Sequence, residues 1–500
     1  MTLFGTAGIR GPVADVVTPS LALAVGQAVA SESPAGDPDS AVVLGYDGRE
    51  TSQSLAAAMA AGLASGGVGV RRIGQVPTPT LAYASRGRRG MMITASHNPP
   101  PDNGIKCFAD GVEYDRDAEA AIERAVGTTE ENGNGTASEN GSASENGDEG
   151  GSVIANWDRW GTIEQESILE EYREAVCAYI SEQFTPRDAA GGSESVDSDR
   201  PFAGLRVAVD CGTGVGGMAT PQVLDRLGAQ VSAINANVDG HFPARASKPT
   251  PESVTDLAAF LRNGEYDLGL AHDGDADRLV VLGPDGEVVH EDTILAVVAA
   301  HYVESSVKDV ADPVVVTTPN ASARIDELVG EVGGRVERVR LGALHEGIAR
   351  VEAGATETDD ETTTVVFAAE PWKHIHPAFG GWIDGIVSAV MVAGLVAEAG
   401  DVETLREPVA ERPYRKVSVA CPDVAKTGVI DQLTTELPER FPDAAVDTAH
   451  GIRLELDDGD WLLVRPSGTE PYVRIYAESD RVDDLVDHAR GAVEAAVDGR

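Results

Sequence analysis

The sequence predicts an α/β fold, built as three successive α/β domains with mixed parallel sheets and a C-terminal α+β domain. Short apolar runs typical of buried strands alternate with longer segments of helical periodicity, which is the pattern of parallel α/β layers. The chain of 500 residues also has room for about three or four domains. The changes of pattern place the domains at residues 1–155, 156–287, 288–408 and 409–500.

The first predicted domain opens with a glycine-rich segment around Arg10 and continues as alternating helices and strands. Helices are predicted at 21–30 and 51–64, and strands at 41–45, 68–73 and 91–94. Ligands of parallel sheets bind beyond the carboxyl ends of the strands. Ser96 and His97 follow the last of these strands, and Lys106 lies on a segment that returns toward them. These side chains are therefore candidates for a binding site.

Residues 127–152 interrupt the alternation. They are Gly, Asn, Ser, Thr and Glu with almost no apolar side chains, so they cannot bury a core. We expect a disordered insertion here. The next helix is predicted at 164–180, because Ile168, Tyr172 and Val176 fall on one face.

An acidic run organises the second predicted domain. Residues 268–271 and 279–282 are apolar and predict two strands joined by a tight loop. In that loop Asp273, Asp275 and Asp277 form an oxygen-rich pocket suited to a hard divalent cation, Mg²⁺ before the others. An EF-hand is excluded, since the positions that require its Gly and Glu hold Arg278 and Pro284. A solvated acidic turn is the alternative.

Residues 212–217 match the GxGxxG pattern directly after a predicted strand at 205–209. This pattern opens a dinucleotide site as an alternative. The following strand, at 231–235, ends without the acidic residue that would bind a ribose. A nicotinamide-dependent oxidoreductase is therefore the second function that the sequence allows.

The last predicted domain has mixed strands, a terminal helix from Val482 and a loop of phosphate-binding character. After the strand at 461–464, Arg465 and Arg474 flank a short polar turn that holds Ser467, Gly468 and Thr469. Hydroxyls, backbone N–H groups and two guanidinium forks suit a phosphate. An isolated positive cup is informative in so acidic a chain, although a capped turn is the alternative.

The amino-acid composition limits the classes of partner that the protein can be expected to bind. The formal charge is −43, from 39 Lys and Arg against 82 Asp and Glu. Phosphate-backbone affinity needs a basic face, so nucleic-acid binding is not expected. Self-repulsion of this size predicts a halophilic protein. Without a signal peptide, a membrane-length apolar run or paired cysteines, we expect a cytoplasmic protein with no membrane partner, and the sequence does not indicate its oligomeric state.

These loops together supply the equipment for phosphoryl transfer. Four motifs, in order along the chain, resemble those of the α-D-phosphohexomutases. They are the family's opening loop at 4–11, with Ala7 where Asp is usual, its phosphoserine loop at 94–99, its magnesium loop at 273–278 and its phosphate-binding loop at 465–474. The resemblance covers the chain apart from its polar linkers, and it implies four domains around a central cleft.

The resemblance also implies a Mg²⁺-dependent mutase that interconverts a sugar 1-phosphate and a sugar 6-phosphate, of glucose or mannose. Ser96 would carry the phosphoryl group, and a sugar bisphosphate would be the intermediate. The metal ligands would be Ser96, Asp273, Asp275 and Asp277. Charge would be neutralised or protons moved by Arg10, His97, Lys106 and Arg278. The substrate would be held by Arg340 and, at its non-reacting phosphate, by Arg465, Ser467, Gly468, Thr469 and Arg474.

One departure from the family pattern concerns the sugar. The usual Gly-Glu-x-Ser-Gly-His loop is here Ala-Glu-Pro-Trp-Lys-His, which keeps Glu370 and His374 but places Trp372 and Lys373 where Ser and Gly are usual. Trp372 could contact the sugar or pack in the core. Glucosamine phosphate or a pentose phosphate therefore stays open as the substrate, as does a catalytically silent sugar-phosphate-binding protein.

Overall fold

The computed structural model describes residues 3–5, 8–32, 41–133, 154–184, 200–355, 363–467 and 470–499. The chain divides into two compact units. One comprises Met1–Val289 and Ile375–Val402, and the other comprises His290–His374 and Glu403–Arg500. Within the described ranges, no helix combines the length and the apolar character needed to cross a membrane.

The first part of the chain forms a seven-stranded mixed sheet covered by helices. Its elements are β1 (Ile9–Pro12), α1 (Pro19–Ser31), β2 (Val42–Tyr46), α2 (Ser52–Ser65), β3 (Val70–Gln75), α3 (Thr78–Ala84), β4 (Arg89–Ile93), β5 (Asp102–Ala109), β6 (Val112–Glu113), α4 (Arg116–Gly133), β7 (Ile163–Gln165) and α5 (Leu169–Phe184). The strand order is β1-β5-β4-β2-β3-β7, with β6 on β5. Strands β4, β2, β3 and β7 are parallel, whereas β5 is antiparallel to both β1 and β4.

A second, four-stranded sheet in the same unit carries the acidic loop. Its elements are β8 (Arg206–Asp210), α6 (Thr220–Arg226), β9 (Gln230–Ile234), α7 (Thr255–Asn263), β10 (Leu268–His272) and β11 (Leu279–Leu282). The order is β11-β10-β8-β9, in which only β11 is antiparallel. Strand β10 is completely buried, which explains its continuous apolar run.

Apart from Ile375–Val402, which belongs to the first unit, the rest of the chain forms the second unit and contains two further sheets. The elements that follow in the chain are α8 (Glu291–Ser306), β12 (Asp312–Thr317), α9 (Arg324–Glu331), β13 (Arg335–Arg338), α10 (Leu344–Ala355), β14 (Thr363–Glu370), β15 (Lys373–Ile375), α11 (Gly385–Ala399), α12 (Val402–Arg406), β16 (Tyr414–Ala420), α13 (Asp423–Arg440), β17 (Ala445–Asp447), β18 (Ile452–Glu455), β19 (Trp461–Pro466), β20 (Tyr472–Glu478) and α14 (Val482–Asp498). One sheet has the order β13-β12-β14-β15, with β12 parallel to β13 and β14. The other is antiparallel, β16-β20-β19-β18-β17, and packs its apolar face against α13 and α14.

The predicted fold class is confirmed: three sheets with parallel pairs precede an antiparallel sheet with two long helices. Two predicted segments were wrong in detail. The helix expected at 164–180 begins only at Leu169, because residues 163–165 pair with the edge of β3 as a strand. Helix α4 runs to Gly133, so the start of the predicted insertion is helical, and residues 134–152 lie outside the described part of the chain. The four domain boundaries stay a prediction.

Candidate active site

Ser96 lies just beyond the carboxyl end of β4, in the loop that leads into β5. Its backbone is left-handed, with φ at 50°, and its side chain is fully buried. The Oγ donates a hydrogen bond to Asp273 Oδ2 at 2.7 Å and lies 3.2 Å from Nδ1 of His97. The serine predicted to carry the phosphoryl group therefore contacts the predicted metal loop.

The acidic loop joins β10 to β11, as expected from the sequence. Asp273, Asp275 and Asp277 are all buried, and their ligand oxygens lie within 4.8 Å of one another. Burial and the carboxylates of Asp277 and Asp275 raise the pKa of Asp273 well above its usual range. Within the described residues, Asp275 Oδ1 is buried and has no hydrogen-bond partner. An oxygen-only cluster with an unsatisfied buried acceptor fits a hard divalent cation.

Lys106 supplies positive charge to this cluster from β5. Its Nζ donates to Asp277 Oδ2 at 2.8 Å and lies 3.8 Å from Asp275 Oδ2. Burial would lower the pKa of Lys106, but the carboxylates of Asp277, Glu113 and Asp275 outweigh it and raise that pKa above its usual value. The antiparallel register of β4 and β5 sets Lys106 opposite Met92, beside the start of the serine loop.

Two arginines add to the positive charge. Arg278 Nε lies 3.7 Å from Asp273 Oδ2 and 3.8 Å from Asp277 Oδ1. Arg10, on β1, is close enough that its charge opposes protonation of Lys106. Its Nε is buried without a hydrogen-bond partner among the described residues, as is that of Arg278. The predicted catalytic residues of the first unit are thus brought together, while their individual roles stay predictions.

Sequence reasoning missed the side chains that fix the acidic loop. His272 accepts a hydrogen bond from Thr220 at Nε2 and donates from Nδ1 to the carbonyl of Arg278, both at 2.8 Å, which ties the two ends of the loop. Burial lowers the pKa of His272 to about 4, consistent with this neutral form. Thr78 donates to Asp275 Oδ2 at 2.6 Å, and Arg245 donates to the carbonyl of His272 at 2.7 Å. Only the tertiary fold reveals these partners, because they come from distant segments.

The glycine pattern at 212–217 has a packing role beside the acidic loop. A Cβ on Gly214 would lie 2.6 Å from the carbonyl oxygen of Gly274, and one on Gly216 would lie 3.2 Å from the His272 side chain. Side chains at these positions would displace the loop. The close approach accounts for the glycines without a dinucleotide, so the structure does not favour the oxidoreductase alternative.

The predicted sugar loop joins β14 to β15 in the second unit. Glu370 accepts a hydrogen bond from the backbone N–H of Gly342, and Arg340 pairs with Glu346. The backbone of Trp372 is left-handed, with φ at 70°. The residue is only half-buried, so part of its side chain is accessible to a ligand. His374 is buried, and desolvation lowers its pKa to about 4.

The predicted phosphate loop joins β19 to β20. Arg465 and Arg474 are directly opposite each other on these strands. Like charges facing across a strand pair destabilise a sheet, and an anion bound between them would offset that repulsion. Arg465 Nε is buried without a hydrogen-bond partner in the described chain, and Arg474 pairs with Glu470 at 2.7 Å. Ser467 is buried, whereas Gly468 and Thr469 lie outside the described residues.

Lys426, on α13, was also missed by sequence reasoning. Its Nζ donates at 2.6 Å to the carbonyl oxygens of Ser467 and Glu470, one on each side of the turn. Asp423 pairs with the same nitrogen at 2.6 Å. The lysine therefore fixes the shape of the phosphate loop by joining its two sides. Its rarity in this sequence was the only signal that could have identified it.

Comparison with known proteins identifies the family. Residues 1–133, 191–286 and 417–495 match the family models described as phosphoglucomutase/phosphomannomutase alpha/beta/alpha domain I, alpha/beta/alpha domain II and C-terminal domain. A phosphopentomutase from Thermococcus kodakarensis is 35% identical over 99% of each chain. The chain belongs to the phosphoglucomutase/phosphomannomutase family, the α-D-phosphohexomutases. A probable phosphoglucosamine mutase from Methanopyrus kandleri is 36% identical over 98% of each chain.

A solved structure supports the same fold. The crystal structure of a phosphoglucomutase/phosphomannomutase family protein from Burkholderia thailandensis superposes with a TM-score of 0.79 at 22% identity, covering 99% of this chain and 97% of that one.

The family models and the relatives show that the protein is an enzyme of the phosphosugar mutase class, as the motifs predicted. The catalytically silent alternative is set aside. The preferred sugar, the identity of the metal, phosphorylation of Ser96 and the halophilic character stay predictions.

Proposed function

We propose that this phosphosugar mutase transfers the phosphoryl group through Ser96 and interconverts the 1-phosphate and 6-phosphate of a neutral hexose, glucose or mannose first. The observation that carries the proposal is the buried 2.7 Å hydrogen bond from Ser96 Oγ to Asp273 Oδ2. A serine hydroxyl is a weak nucleophile unless neighbouring groups activate it. Here it contacts one carboxylate of a cation-type cluster, and Lys106 is bonded to another, Asp277.

Asp273, Asp275 and Asp277 would hold Mg²⁺, with an oxygen of the Ser96 phosphoryl group as a further ligand. The all-oxygen donor set favours Mg²⁺ over softer metals. When bound, the cation acts as a Lewis acid that neutralises charge on the transferred group.

The positive side chains of the chain itself serve the same transfer. Lys106, Arg278 and Arg10 neutralise negative charge that spreads over the phosphoryl oxygens. The proton of Ser96 Oγ must leave when the serine takes up the group. The Nδ1 of His97, at 3.2 Å, is within reach to accept it.

The phosphate loop holds the phosphate that does not react. Arg465 and Arg474 provide two guanidinium forks, which match phosphate oxygens in pairs. The hydroxyls and backbone N–H groups come from Ser467, Gly468 and Thr469. Because the bisphosphate presents either phosphate to Ser96 in turn, this loop has to accept both ends of the intermediate.

The sugar loop supplies discrimination, since phosphate and metal contacts are common to all sugar phosphates. Glu370 accepts hydrogen bonds from ring hydroxyls, and the half-buried ring of Trp372 covers an apolar sugar face. The charge of Lys373 repels an ammonium sugar such as glucosamine phosphate. We therefore place neutral hexose phosphates above the amino sugar. The similarity to proteins named phosphopentomutase and probable phosphoglucosamine mutase keeps a pentose phosphate and glucosamine phosphate as the alternatives.

The test combines peptide mapping with kinetics of the purified enzyme. We expect one phosphate on Ser96, no turnover in Ser96→Ala, and a larger kcat/KM for glucose or mannose 1-phosphate than for glucosamine 1-phosphate. The double variant Trp372→Ser/Lys373→Gly should change the ranking of sugars without changing the phosphorylation of Ser96. An unphosphorylated, fully active wild type with an active Ser96→Ala would refute the mechanism. A wild-type preference for glucosamine phosphate would refute the charge argument alone.

A further inference from the structure

A single buried guanidinium holds the loop that carries Ser96. Arg49 follows β2 and is only 3% exposed. Its two terminal nitrogens donate at 2.7–2.9 Å to four backbone carbonyls of the loop, those of Ser96, Asn98, Pro99 and Asp102. Its Nε donates to Asp47 Oδ2 at 3.2 Å. All five N–H donors of the guanidinium are therefore used, and four of them are used on one loop.

Asp47 orients the arginine and reaches the serine by a second route. One carboxylate oxygen accepts from the hydroxyl of Thr94 at 2.7 Å, and that hydroxyl accepts from the backbone N–H of Ser96 at 2.9 Å. Burial raises the pKa of Asp47, while the charge of Arg49 opposes the rise. The backbone of Ser96 is thus held at its N–H by the Asp47–Thr94 chain and at its carbonyl by Arg49.

Residues from the second sheet's loops reinforce the same arrangement. The ring of Phe242 lies 5.1 Å from Arg49 Cζ, within the range of a cation–π contact. Ser247 Oγ donates to the carbonyl of Asn98 at 2.9 Å, which is one of the four carbonyls bound by Arg49. These contacts add two further restraints, one on the guanidinium and one on its loop.

This network explains how Ser96 keeps an unfavourable backbone. A non-glycine residue in the left-handed region is strained, and the surrounding structure must offset that strain. Pinning the carbonyl of Ser96 and those that follow it stabilises that conformation and aims Oγ at Asp273. Lysine could not reproduce the pattern, because an ammonium has three donors and no planar fork.

We propose that Arg49 is a positioning residue for phosphoryl transfer, which sets the position of Ser96 without touching the substrate. The inference rests on the proposed function, because it assumes that Ser96 receives the phosphoryl group. A displacement of about 1 Å in a reacting group can cost about a hundredfold in rate. Loss of the Arg49 contacts therefore acts on the transfer step, whereas the substrate's phosphate and sugar contacts remain.

The test compares Arg49→Lys with Arg173→Lys. Arg173 also donates to a backbone carbonyl, that of Met218, and its other polar contact among the described residues is with Glu170, away from the serine and acidic loops. The rate of Ser96 phosphorylation by glucose 1,6-bisphosphate is followed by quenched-flow mass spectrometry, together with kcat, KM and the thermal midpoint. We expect Arg49→Lys to slow phosphorylation about a hundredfold, with KM within about twofold of wild type. Arg173→Lys should react at the wild-type rate.

The outcomes separate the two proposals. A wild type that is never phosphorylated on Ser96 overturns the proposed function and this inference with it. A phosphorylated wild type, with Arg49→Lys equally fast per folded molecule but lower in thermal midpoint, overturns the inference alone and leaves a purely structural arginine. If Arg49→Lys does not fold, Ser247→Ala decides, since it removes a donor from the Asn98 carbonyl without stranding a charge. A several-fold slower transfer at an unchanged thermal midpoint supports the proposal, and a wild-type rate overturns it.

Discussion

The serine loop of the first unit and the phosphate loop of the second differ in how their functional groups are held. Ser96, the three aspartates of the acidic loop and Lys106 are all at most 2% exposed, and hydrogen bonds join Ser96 to Asp273 and Lys106 to Asp277. Around the phosphate loop, Arg474 is 21% exposed and Glu470 is 47% exposed. The groups proposed to react are buried and hydrogen-bonded to their neighbours, whereas the groups proposed to bind the distant phosphate are partly open to water.

The difference follows from the chemistry that each loop is proposed to perform. Phosphoryl transfer depends on positioning and on charges in a water-excluded site, and both need buried, crowded groups. Such crowding stores repulsion, as the raised pKa of Asp273 indicates. A loop that must bind and release phosphate gains from exposure, since a fully desolvated anion would leave slowly. The serine loop is thus crowded at the expense of stability, whereas the phosphate loop leaves some of its charged groups exposed to water.

The largest effect is expected from Asp275→Asn. Removing one of three clustered carboxylates should lower kcat about a thousandfold, comparable with the loss of a principal electrostatic group. The same change relieves like-charge repulsion, so the metal-free variant should melt about 2 °C or more above the wild type. Differential scanning calorimetry in chelator and initial-rate kinetics in Mg²⁺ measure the two effects.

The two predicted effects of Asp275→Asn have opposite signs, since kcat should fall while the melting temperature of the metal-free protein should rise. Asn retains an oxygen that can accept the Thr78 hydroxyl, so the loop itself should survive. As a control, removing the metal from the wild type with a chelator should abolish turnover but leave the fold intact. Normal activity and normal Mg²⁺ dependence in Asp275→Asn would show that the cluster is not the metal site. A lower melting point in chelator would show that the cluster is not under repulsion.

A smaller effect is expected from Lys426→Met. The side chain binds the carbonyls of Ser467 and Glu470 and is not among the groups proposed to contact the reacting phosphoryl group, so its loss should loosen the phosphate contacts without disturbing the reacting groups. We expect KM to rise about tenfold, equivalent to about 1.4 kcal/mol, with kcat little changed. Lys308→Met is the matched control, because it removes an exposed lysine that follows α8. A fall in kcat at constant KM would contradict the division between the two loops.

The sequence predicted the positions of the candidate reacting groups better than it predicted the residues that hold them in place. Ser96 and Asp273 stand beyond strand ends in short motifs, and the periodicity of the flanking strands places them correctly. Lys106 reaches the acidic cluster because β5 returns beside β4, which the chain order suggested. Local pattern sufficed for these residues, since a strand followed by a polar loop determines where the loop begins.

The supporting residues could not be found in that way. Arg49 binds carbonyls about fifty positions later, and Thr78 binds Asp275 almost two hundred positions later. Nothing in the local sequence distinguishes such an arginine or threonine from one on the surface. The glycine pattern at 212–217 shows the converse error, because close packing against the acidic loop produces the same spacing as a dinucleotide site.

The last prediction concerns the sugar loop of the second unit, where one group is as buried as those of the serine loop. His374 is 2% exposed, and desolvation lowers its pKa from 6.5 to about 4. In the unfolded chain His374 is therefore protonated below about pH 6.5, whereas in the folded chain it stays neutral down to about pH 4. Stability from this group is present above pH 6.5 and is lost as the pH falls, by up to about 3 kcal/mol at pH 4.

His374→Gln removes that titration while keeping a polar side chain of similar size. The variant should be less stable than the wild type at pH 7.5, because it loses the contact of the imidazole with the Phe367 ring at 5.5 Å. Its deficit should shrink, or reverse, at pH 4.5, since only the wild type is penalised by proton uptake in the unfolded state. Thermal midpoints at the two pH values measure the deficit, with the exposed His488→Gln as control. A deficit that stays constant between these pH values would show that His374 titrates alike in the folded and unfolded chain, and the sugar loop would then share the openness of the phosphate loop.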